Sequence, residues 1–407
     1  MAAPAIISAQ TVTNAIKVGL VGAGGRGTGA ASQALKADDY AELSAVADVS
    51  TDQINNALER LTRINGAKVK VANEKKFLGF DAFQKVIDSD IDVVLLTTPP
   101  GFRPMMLRYA IEKNRHVFTE KPMAVDPTGV RSVIETVKMS KAKNRSVVAG
   151  FNWRYQNYVV ELMQQIHNGI IGDVLHYYAT YYTSPVKPMP AASTRPAGMS
   201  DIEWQVKNWY NFLWTCGDGY VEQAVHSVDK VAWAFKDQAP VSAVATGGRL
   251  IPNEGGNIYD HIQVNYLYPN GARASVAHRQ IPGIYNENGD YILGTKGKVT
   301  IGRNMPRVED HQGNLLWTFS GERTDSYQVE HDVLFSSIRK GQPVNNGDRM
   351  VSSTLLAILG RTAAYTGQQL TWEQIQNSQL STFPTPFDPK GSFAVTPLPQ
   401  PGITKFV

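Results

Sequence analysis

Short apolar runs alternate with helix-like stretches through the first third of the chain. The apolar runs lie at residues 16–21, 43–47, 93–96, 116–118 and 146–149. The stretches that predict helices lie at residues 52–64, 81–89, 104–113 and 127–142. Strands that are apolar on both faces and joined by helices are typical of a parallel sheet covered on both sides. Residues 16–150 therefore predict a doubly wound α/β domain with ligands beyond the carboxyl ends of its strands.

The pattern changes after residue 150, where the connections between most strands are too short for crossover helices. Predicted strands lie at residues 175–182, 241–246, 261–267, 272–279 and 298–301. Predicted helices lie at residues 158–168, 220–235, 328–340 and 350–365. Residues 151–375 therefore predict an α+β domain whose large, mostly antiparallel open sheet has helices on one face. Residues 376–407, rich in Pro, Ser and Thr, predict an extended arm.

Composition limits the classes of partner. The 407 residues are 43% hydrophobic, which is ample for two packed cores. The 40 basic and 36 acidic residues are scattered without a Lys/Arg block, so we expect no nucleic-acid partner. The single cysteine, Cys216, allows no intrachain disulfide. No His/Cys cluster or pair of carboxylates predicts a metal site.

The first fifteen residues are small, apolar and uncharged, with too few apolar positions to span a bilayer. Residues 1–15 lack the basic segment of a complete export signal but resemble the end of one. An ordered N-terminal arm begins in the same way, so both interpretations stay open. We expect no membrane insertion.

The first apolar run leads directly into a glycine-rich turn, Gly22-Ala23-Gly24-Gly25-Arg26-Gly27, which fits G-x-G-x-x-G. In that motif the first glycine permits the turn, the second lets a pyrophosphate approach the backbone, and the third lets helix and strand pack. Asp48 ends the second run about twenty residues further on, where a carboxylate bonds the adenosine ribose and repels a 2′-phosphate. The predicted cofactor is therefore NAD rather than NADP. The alternative is an ordinary βα turn with Asp48 capping a helix.

Four more stretches carry a family resemblance. They are Glu120-Lys121-Pro122, Gly150-Phe151-Asn152-Trp153-Arg154-Tyr155, residues 217–229 (G-D-G-Y-V-E-Q-A-V-H-S-V-D) and Gly294-Thr295-Lys296-Gly297. With the glycine-rich turn, they resemble the Gfo/Idh/MocA oxidoreductase family over nearly the whole chain. Asn208-Trp209-Tyr210 and residues 217–223 are similar to its exported bacterial branch, whose members carry twin-arginine signals. The resemblance implies a Rossmann domain, an open-sheet substrate domain, and oxidation or reduction of a sugar, cyclitol or related carbinol with a nicotinamide cofactor.

The residues also support hydride transfer by themselves. Such transfer needs a base for the hydroxyl proton and a group that stabilises charge on the oxygen. His226 fits the base, and Glu222, four residues earlier on the predicted helix, can orient an imidazolium. Lys121 follows a predicted strand where the nicotinamide should lie, so it can bond the reacting hydroxyl. The alternative to a catalytic role is a core histidine for His226 and a surface lysine for Lys121.

By resemblance, Lys121 and His226 carry over as catalytic residues. Two positions depart from the family pattern. Glu222 stands where the family more commonly has aspartate, and Arg103 stands where a histidine often follows the Thr-Pro segment. The longer acid can therefore alter the proton relay or bind substrate instead.

The remaining candidates divide between cofactor and substrate. The predicted cofactor-binding residues are Gly22, Gly24, Gly25, Arg26, Gly27, Asp48, Thr98, Pro99, Glu120, Lys121 and Arg154. The predicted substrate-binding residues are Lys121, Arg154, Tyr155, Trp209, Glu222, His226 and His278. Trp209 offers a flat face on which carbohydrates stack, with core packing as the alternative. His278 ends a predicted strand, where ordinary sheet-edge polarity is the alternative.

Three functions fit this pattern. The leading hypothesis is a periplasmic, exported oxidoreductase that keeps NAD bound and transfers hydride to or from a secondary hydroxyl of a sugar or glycoside. The second is an NAD-dependent glycosidase that oxidises C3 transiently and eliminates the C1 substituent. The third is a sugar or dinucleotide sensor, against which Lys121 and His226 argue. A cytoplasmic location is the alternative to the periplasm. We also expect a homodimer or homotetramer that forms through the open sheet.

Overall fold

The computed structural model describes residues 14–302 and 305–407. Within them the first sheet has six parallel strands in the order β3-β2-β1-β4-β5-β6. Its strands are β1 (Ile16–Val21), β2 (Ala41–Asp48), β3 (Lys76–Leu78), β4 (Val93–Leu96), β5 (His116–Thr119) and β6 (Val147–Ala149). Its helices are α1 (Gly25–Ala37), α2 (Thr51–Asn65), α3 (Ala82–Asp88), α4 (Arg103–Glu112) and α5 (Pro127–Ala142). The order reverses between β1 and β4, which confirms the doubly wound domain and places a crevice at their carboxyl ends.

The strands of the first sheet are buried on both faces. Leu20 of β1 lies in the core that includes residues of α1 and α2. Val94 of β4 lies in the core that includes residues of α3, α4 and α5. Leu334 and Phe335, from late in the chain, complete the core on the α1 side. Apolar runs without alternation therefore marked these strands correctly.

The second sheet follows residue 150 and, in the described chain, has nine strands in the order β14-β13-β12-β11-β7-β10-β9-β8-β15. Its strands are β7 (Val174–Thr183), β8 (Ser242–Gly248), β9 (His261–Leu267), β10 (Arg273–Gln280), β11 (Glu287–Gly294), β12 (Gly297–Ile301), β13 (Arg307–Asp310), β14 (Leu315–Thr318) and β15 (Leu370–Thr371). Its helices are α6 (Asn157–His167), α7 (Asp201–Lys207), α8 (Leu213–Cys216), α9 (Gly219–Glu222), α10 (Val225–Ala234), α11 (Ser326–Lys340), α12 (Gly347–Thr366) and α13 (Trp372–Asn377). Neighbouring strands pair antiparallel, except that β7 and β10 pair in parallel. The mostly antiparallel second sheet is thereby confirmed.

The two faces of the second sheet differ in composition. Val264 and Tyr266 of β9 are buried on the face that carries α12, and the hydroxyl of Tyr266 donates to a carbonyl of that helix. On the opposite face Tyr178 and Tyr291 stack, with ring centroids 6.0 Å apart, and Leu293 is 45% exposed. The helices cover one face as predicted, while cover of the other face by a second subunit stays a prediction.

The predicted helix at residues 220–235 is wrong as a single element. It is two helices, α9 and α10, with Gln223 and Ala224 between them. The carbonyl of Glu222 accepts a hydrogen bond from Nζ of Lys121. The amide of His226 donates to Gln223 O, 3.3 Å away. The lysine therefore takes the acceptor that would have continued α9.

The sequence pattern also misses β3, β11, β13, β14 and β15. β11 contains Asn288, Gly289 and Asp290, which are residue types depleted in strands. The other four have two to four residues each, which is too short for a periodic signal. Long-range pairing with neighbouring strands decides these elements.

The C-terminal arm runs without helix or strand after α13 and packs against both domains. Phe387 lies against Phe102 of the first domain, with ring centroids 5.7 Å apart. Phe393 lies against Trp214 of the second domain, with ring centroids 5.9 Å apart. The arm thus joins the two domains beside the crevice.

The predicted N-terminal arm, residues 1–15, lies outside the described residues except for its last two positions. In residues 14–302 and 305–407, the helices fall short of the length and apolar character that crossing a bilayer demands.

Candidate active site

The glycine-rich turn shows the geometry of a dinucleotide loop. Gly22 has φ of +95°, and a Cβ there would lie 2.9 Å from the backbone of Thr97. A Cβ on Gly27 would lie 1.9 Å from Gly22 O, so strand and helix touch at this point. At Gly24, which precedes α1, a Cβ would meet no atom of the described chain within 4 Å. The open space at an uncapped helix start fits a pyrophosphate.

Asp48 lies at the end of β2 beside this loop. Its Oδ2 accepts a hydrogen bond from the amide of Ala23 at 2.7 Å, and Oδ1 accepts one from the amide of Ser50 at 3.0 Å. Burial raises the pKa of the carboxyl, and the backbone donors oppose that effect. Asp48 thus faces the cavity where the adenosine ribose of a dinucleotide would lie.

The first cavity has a volume of about 570 Å³ and lies between the two domains. Its floor comes from the Rossmann domain and includes Gly22, Gly24, Asp48, Thr98, Pro99 and Phe102. Its roof comes from the second domain and consists of Lys187, Met199, Glu203, Val206, Lys207 and Trp209. Trp209, predicted to bind substrate, therefore lines the cavity that fits the cofactor.

The C-terminal arm holds this roof in place. Gln205 of α7 donates to Phe393 O at 2.7 Å, and the Ser200 hydroxyl donates to Pro389 O at 2.6 Å. Lys390 forms an ion pair with Glu203. The first cavity is therefore lined by both domains, and the arm fixes the side that the second domain forms.

Arg103 fixes the loop that carries the predicted catalytic lysine. Its Nη1 donates to the carbonyls of Lys121 (2.9 Å) and Pro122 (2.7 Å), and its Nη2 donates to Thr98 O (2.7 Å). Burial lowers the pKa of the guanidinium to about 10, against the opposing charges of Glu120 and Glu222. The sequence indicates Arg103 as a departure from the family pattern. In the structure its side chain binds the main-chain carbonyls of Thr98, Lys121 and Pro122.

Lys121 and Glu222 form a buried ion pair. Lys121 Nζ lies 2.9 Å from Glu222 Oε1 and also donates to the Glu222 carbonyl. The other carboxylate oxygen accepts hydrogen bonds from the Tyr210 hydroxyl and from Gln223 Nε2. Burial would raise the pKa of Glu222, but the Lys121 charge and these donors hold it below its usual value. Lys121 is thus not a surface lysine.

His226 lies half-buried on α10, close to this pair. Its Nδ1 is buried and has no hydrogen-bond partner in the described part of the chain. Burial, followed by the charges of Lys121 and Lys230, holds the pKa of the imidazole well below its usual value. A neutral imidazole at pH 7 is a competent base. Glu222 bonds Lys121, Tyr210 and Gln223, so the prediction that it orients His226 is wrong.

A second cavity of about 420 Å³ opens beside His226. The described residues that line it are polar or aromatic and include neither Lys nor Arg: Asn152, Trp153, Gln156, Tyr181, His226, Asn288, Thr324, Asp325, Ser326 and Tyr327. The hydroxyl of Tyr181 donates to Gln223 Oε1 at 2.9 Å, so this cavity adjoins the Glu222 cluster. Its hydrogen-bonding groups suit a ligand rich in hydroxyls.

Glu120 and Arg26 tie the glycine loop to the rest of the site. Arg26 forms ion pairs with Glu120 and, at 3.2 Å, with Glu330 of α11. Its guanidinium also lies 4.7 Å from the ring centroid of Tyr327. The side chain of Arg26 is therefore engaged by carboxylates, and its contribution to a bound phosphate is the main chain at the start of α1.

The predicted residues Arg154 and Tyr155 line neither cavity, as is also true of Glu120, Lys121, Glu222 and His278. Arg154 pairs with Asp229 at 3.0 Å and with Asp237 at 2.6 Å, and its side chain is 3% exposed. Tyr155 donates from its hydroxyl to Asn346 Oδ1 at 2.6 Å. Their roles in cofactor or substrate binding stay predictions, and in this structure both side chains are engaged by residues of the second domain.

His278 lies deep in the second domain. It is 2% exposed, and neither ring nitrogen has a hydrogen-bond partner among the residues described. Its ring centroid is 6.4 Å from that of Tyr181, which lines the second cavity. Burial lowers the pKa of His278 to about 3. A direct substrate contact stays a prediction, whereas sheet-edge exposure is ruled out.

Metal ligation has no candidate in residues 14–302 and 305–407, where three or more His, Cys, Asp or Glu side chains nowhere converge.

Comparison with known proteins agrees with this geometry. Residues 16–150 match the Gfo/Idh/MocA family model, described as an oxidoreductase family with an NAD-binding Rossmann fold. The chain is 23% identical over 338 residues to inositol 2-dehydrogenase of Rhizobium meliloti (strain 1021), covering 81% of this chain and 90% of that protein. It is 25% identical over 208 residues to a glycosyl hydrolase family 109 protein of Shewanella baltica (strain OS195), covering 51% and 44% respectively.

A solved structure extends the comparison to the fold of both domains. Levoglucosan dehydrogenase, solved with NADH and levoglucosan, has a TM-score of 0.66 at 20% identity, covering 88% of this chain and 99% of that one. The N-terminal domain is thus an NAD-binding Rossmann domain, and NAD is the cofactor of the family model that it matches. The family model is described as NAD-binding, which agrees with the cofactor predicted from Asp48.

Proposed function

We propose that this protein is a Gfo/Idh/MocA oxidoreductase that transfers hydride between NAD and a secondary hydroxyl of an uncharged sugar or glycoside. The observation that carries the proposal is the position of Lys121 and His226. Lys121 follows β5 at the crevice and pairs with Glu222, and His226, four residues after Glu222, lines the second cavity. The first cavity holds the cofactor and the second holds the sugar.

The residues divide the chemistry between them. NAD, when bound, supplies the hydride acceptor. Two of the three N–H groups of Lys121 bond Glu222, which leaves the third to bond the reacting oxygen. The imidazole of His226 takes the hydroxyl proton as the carbon loses hydride. The glycine loop binds the pyrophosphate, and Asp48 binds the ribose.

The second cavity favours an uncharged ligand. A phosphate or carboxylate on the substrate would need Arg or Lys partners. The described residues that line this cavity provide amides, hydroxyls and aromatic rings instead. Trp153 and Tyr327 offer the flat faces on which sugar rings stack.

The position of α7 supports a retained cofactor. α7 and Trp209 cover one side of the first cavity, and the arm fixes α7 in place through Gln205. Retention would suit export of a folded, loaded protein to the periplasm through the twin-arginine route. The uncovered face of the second sheet supports a homodimer or homotetramer, which light scattering would measure.

Two measurements test the proposed function. Denaturing freshly purified protein should release NAD(H) at about one molecule per chain, as identified by mass spectrometry. Mixing the protein with neutral sugars and glycosides should produce the absorbance of reduced nicotinamide. Reduction by sugar phosphates alone, or no reduction with any carbohydrate, would contradict the proposal.

A glycosidase acting through transient oxidation is the second candidate. The match to glycosyl hydrolase family 109 proteins favours it, and it would use the same Lys121 and His226. Release of the aglycone without net reduction of NAD would identify this reaction. Accumulation of reduced cofactor with free sugar would identify the dehydrogenase.

Replacing Asp48 with serine should relax cofactor selectivity. The carboxylate bonds the ribose and repels a 2′-phosphate, so its loss should move the NAD/NADP preference by roughly tenfold to a hundredfold towards NADP. Fluorescence titration of cofactor-free protein with NADH and NADPH measures this ratio. Asp52→Ser, on the exposed first turn of α2, is the control. An unchanged ratio in Asp48→Ser would show that another group reads the ribose.

A further inference from the structure

Tyr210 belongs to a cluster with Lys121, Glu222 and Gln223, which we call the catalytic cluster. The sequence indicates Tyr210 only as part of an aromatic segment. It is 5% exposed on the short turn Trp209–Asn211. Its hydroxyl donates to Glu222 Oε2 and accepts a hydrogen bond from Gln223 Nε2. Gln223 Nε2 also lies 2.6 Å from the same carboxylate oxygen. The phenol therefore stands opposite Lys121 across the carboxylate.

A carboxylate in this position needs such donors. Glu222 is 6% exposed, and burial favours the neutral form of a carboxyl group. Lys121 satisfies Oε1, while Tyr210 and Gln223 satisfy Oε2. If Glu222 were protonated, Lys121 would lose its counter-charge and one of the bonds that direct its ammonium.

The turn that carries Tyr210 is held on both sides. The Thr215 hydroxyl donates to Trp209 O at 2.6 Å, and Cys216 Sγ lies 3.4 Å from Tyr210 O. The rings of Trp209 and Tyr210 have centroids 4.5 Å apart, and Trp209 lines the first cavity. Two adjacent residues of one fixed turn therefore contact different parts of the site: Trp209 lines the first cavity, and Tyr210 bonds Glu222.

We propose that Tyr210 is a positioning residue that keeps Glu222 ionised and thereby holds the ammonium of Lys121 towards the reacting hydroxyl. This inference rests on the proposed function. Several charged or titratable groups on the neighbouring elements interact electrostatically with Glu222. They are Lys121, Arg103, Tyr181, Tyr210, Cys216 and His278. Of these, Tyr210 is the phenol that bonds the carboxylate directly.

The test compares Tyr210→Phe with Tyr365→Phe. Tyr365 is also 5% exposed, and its hydroxyl donates to the buried carboxylate of Asp218, which has no part in the site. The kcat profile has two groups that titrate on its acid side, Glu222 and His226, and the step that Glu222 sets is identified by its loss in Glu222→Gln. In Tyr210→Phe this step should move upward by about one pH unit, because the ionised carboxylate loses a donor. KM should change little. Tyr365→Phe should leave the step in place, and an unmoved Glu222 step in Tyr210→Phe would overturn the inference.

A second readout needs no turnover. The pKa of Glu222, followed by the 13Cδ signal that disappears in Glu222→Gln, should rise in Tyr210→Phe and stay unchanged in Tyr365→Phe. Replacing Tyr210 with 3-fluorotyrosine keeps the packing and strengthens the donor, so this pKa should fall. If none of the carbohydrates causes the wild-type protein to reduce NAD, the proposed function fails. The titration of Glu222 still decides the role of Tyr210 in that case. Equal Glu222 pKa values in all variants would refute it.

Discussion

Replacing His226 with alanine is expected to lower kcat for hydride transfer by roughly 10²-fold or more, the contribution of a general base. The imidazole is in its base form near pH 7, since burial first and then two lysine charges hold its pKa well below the usual value. Single-turnover reduction of bound NAD after mixing with sugar isolates this step from product release.

The control and the pH profile make the His226 prediction sharper. His311→Ala removes an exposed histidine between β13 and β14 and should leave kcat unchanged. Because a lowered pKa preserves the neutral base at lower pH, wild-type kcat should stay level from about pH 8 to about pH 6.5. A loss of only a few-fold in His226→Ala would contradict the assignment of the base.

The elements of the first domain could be predicted because each depends on its own residues. Strands β1, β4 and β5 are apolar on both faces, since helices cover both sides of the sheet. The glycine loop was equally local, because Gly22 and Gly27 meet within one strand-turn-helix unit. β11 escaped prediction, since Asn288 and Gly289 are held in a strand by pairing with β7.

The candidate catalytic residues Lys121, Glu222 and His226 could be proposed from sequence, but the contacts among them could not be predicted. Glu222 seemed placed to orient His226, because the spacing of four residues predicts one helix face. Lys121, a hundred residues earlier, binds both the carbonyl and the carboxylate of Glu222 and ends the helix there. Tyr210 and Arg103 likewise act through contacts that fold distant segments together. Local periodicity carries no information about such contacts.

The same limit of local sequence applies to the contacts of Arg154 and Tyr155. Both lie in a stretch that resembles a family motif, and neighbouring Asn152 and Trp153 do line the second cavity. The short helical turn at residues 152–155 places Arg154 and Tyr155 against other partners. Arg154 pairs with the buried carboxylate of Asp229, which would otherwise be an uncompensated buried charge.

Replacing Lys121 with methionine is expected to reduce activity and stability for two separable reasons. The reacting oxygen loses a charged donor, which should lower kcat by roughly 10²-fold to 10³-fold. Glu222 is left buried without its cation, which should cost about 3–5 kcal/mol of unfolding free energy. Single-turnover kinetics measure the first effect, and urea denaturation measures the second.

The pH dependence of stability distinguishes this account from a simple loss of packing. In the wild-type protein the pKa of Glu222 lies below its usual value, so its contribution to stability is present at neutral pH and is lost as the pH falls through the folded pKa. Without Lys121, burial should raise that pKa above its unfolded value. The Glu222 contribution in Lys121→Met should then favour folding as the pH falls from 7 to about 5, opposite in sign to the wild-type contribution.

The double variant Lys121→Met/Glu222→Gln separates catalysis from stability. A neutral amide removes the uncompensated charge, so most of the lost unfolding free energy should return and the Glu222 term in the pH dependence should disappear. The hydride-transfer rate should stay as low as in Lys121→Met, because the donor to the reacting oxygen is still missing. Recovery of kcat together with stability would show that Lys121 acts only by holding the fold, and the catalytic role would then be wrong.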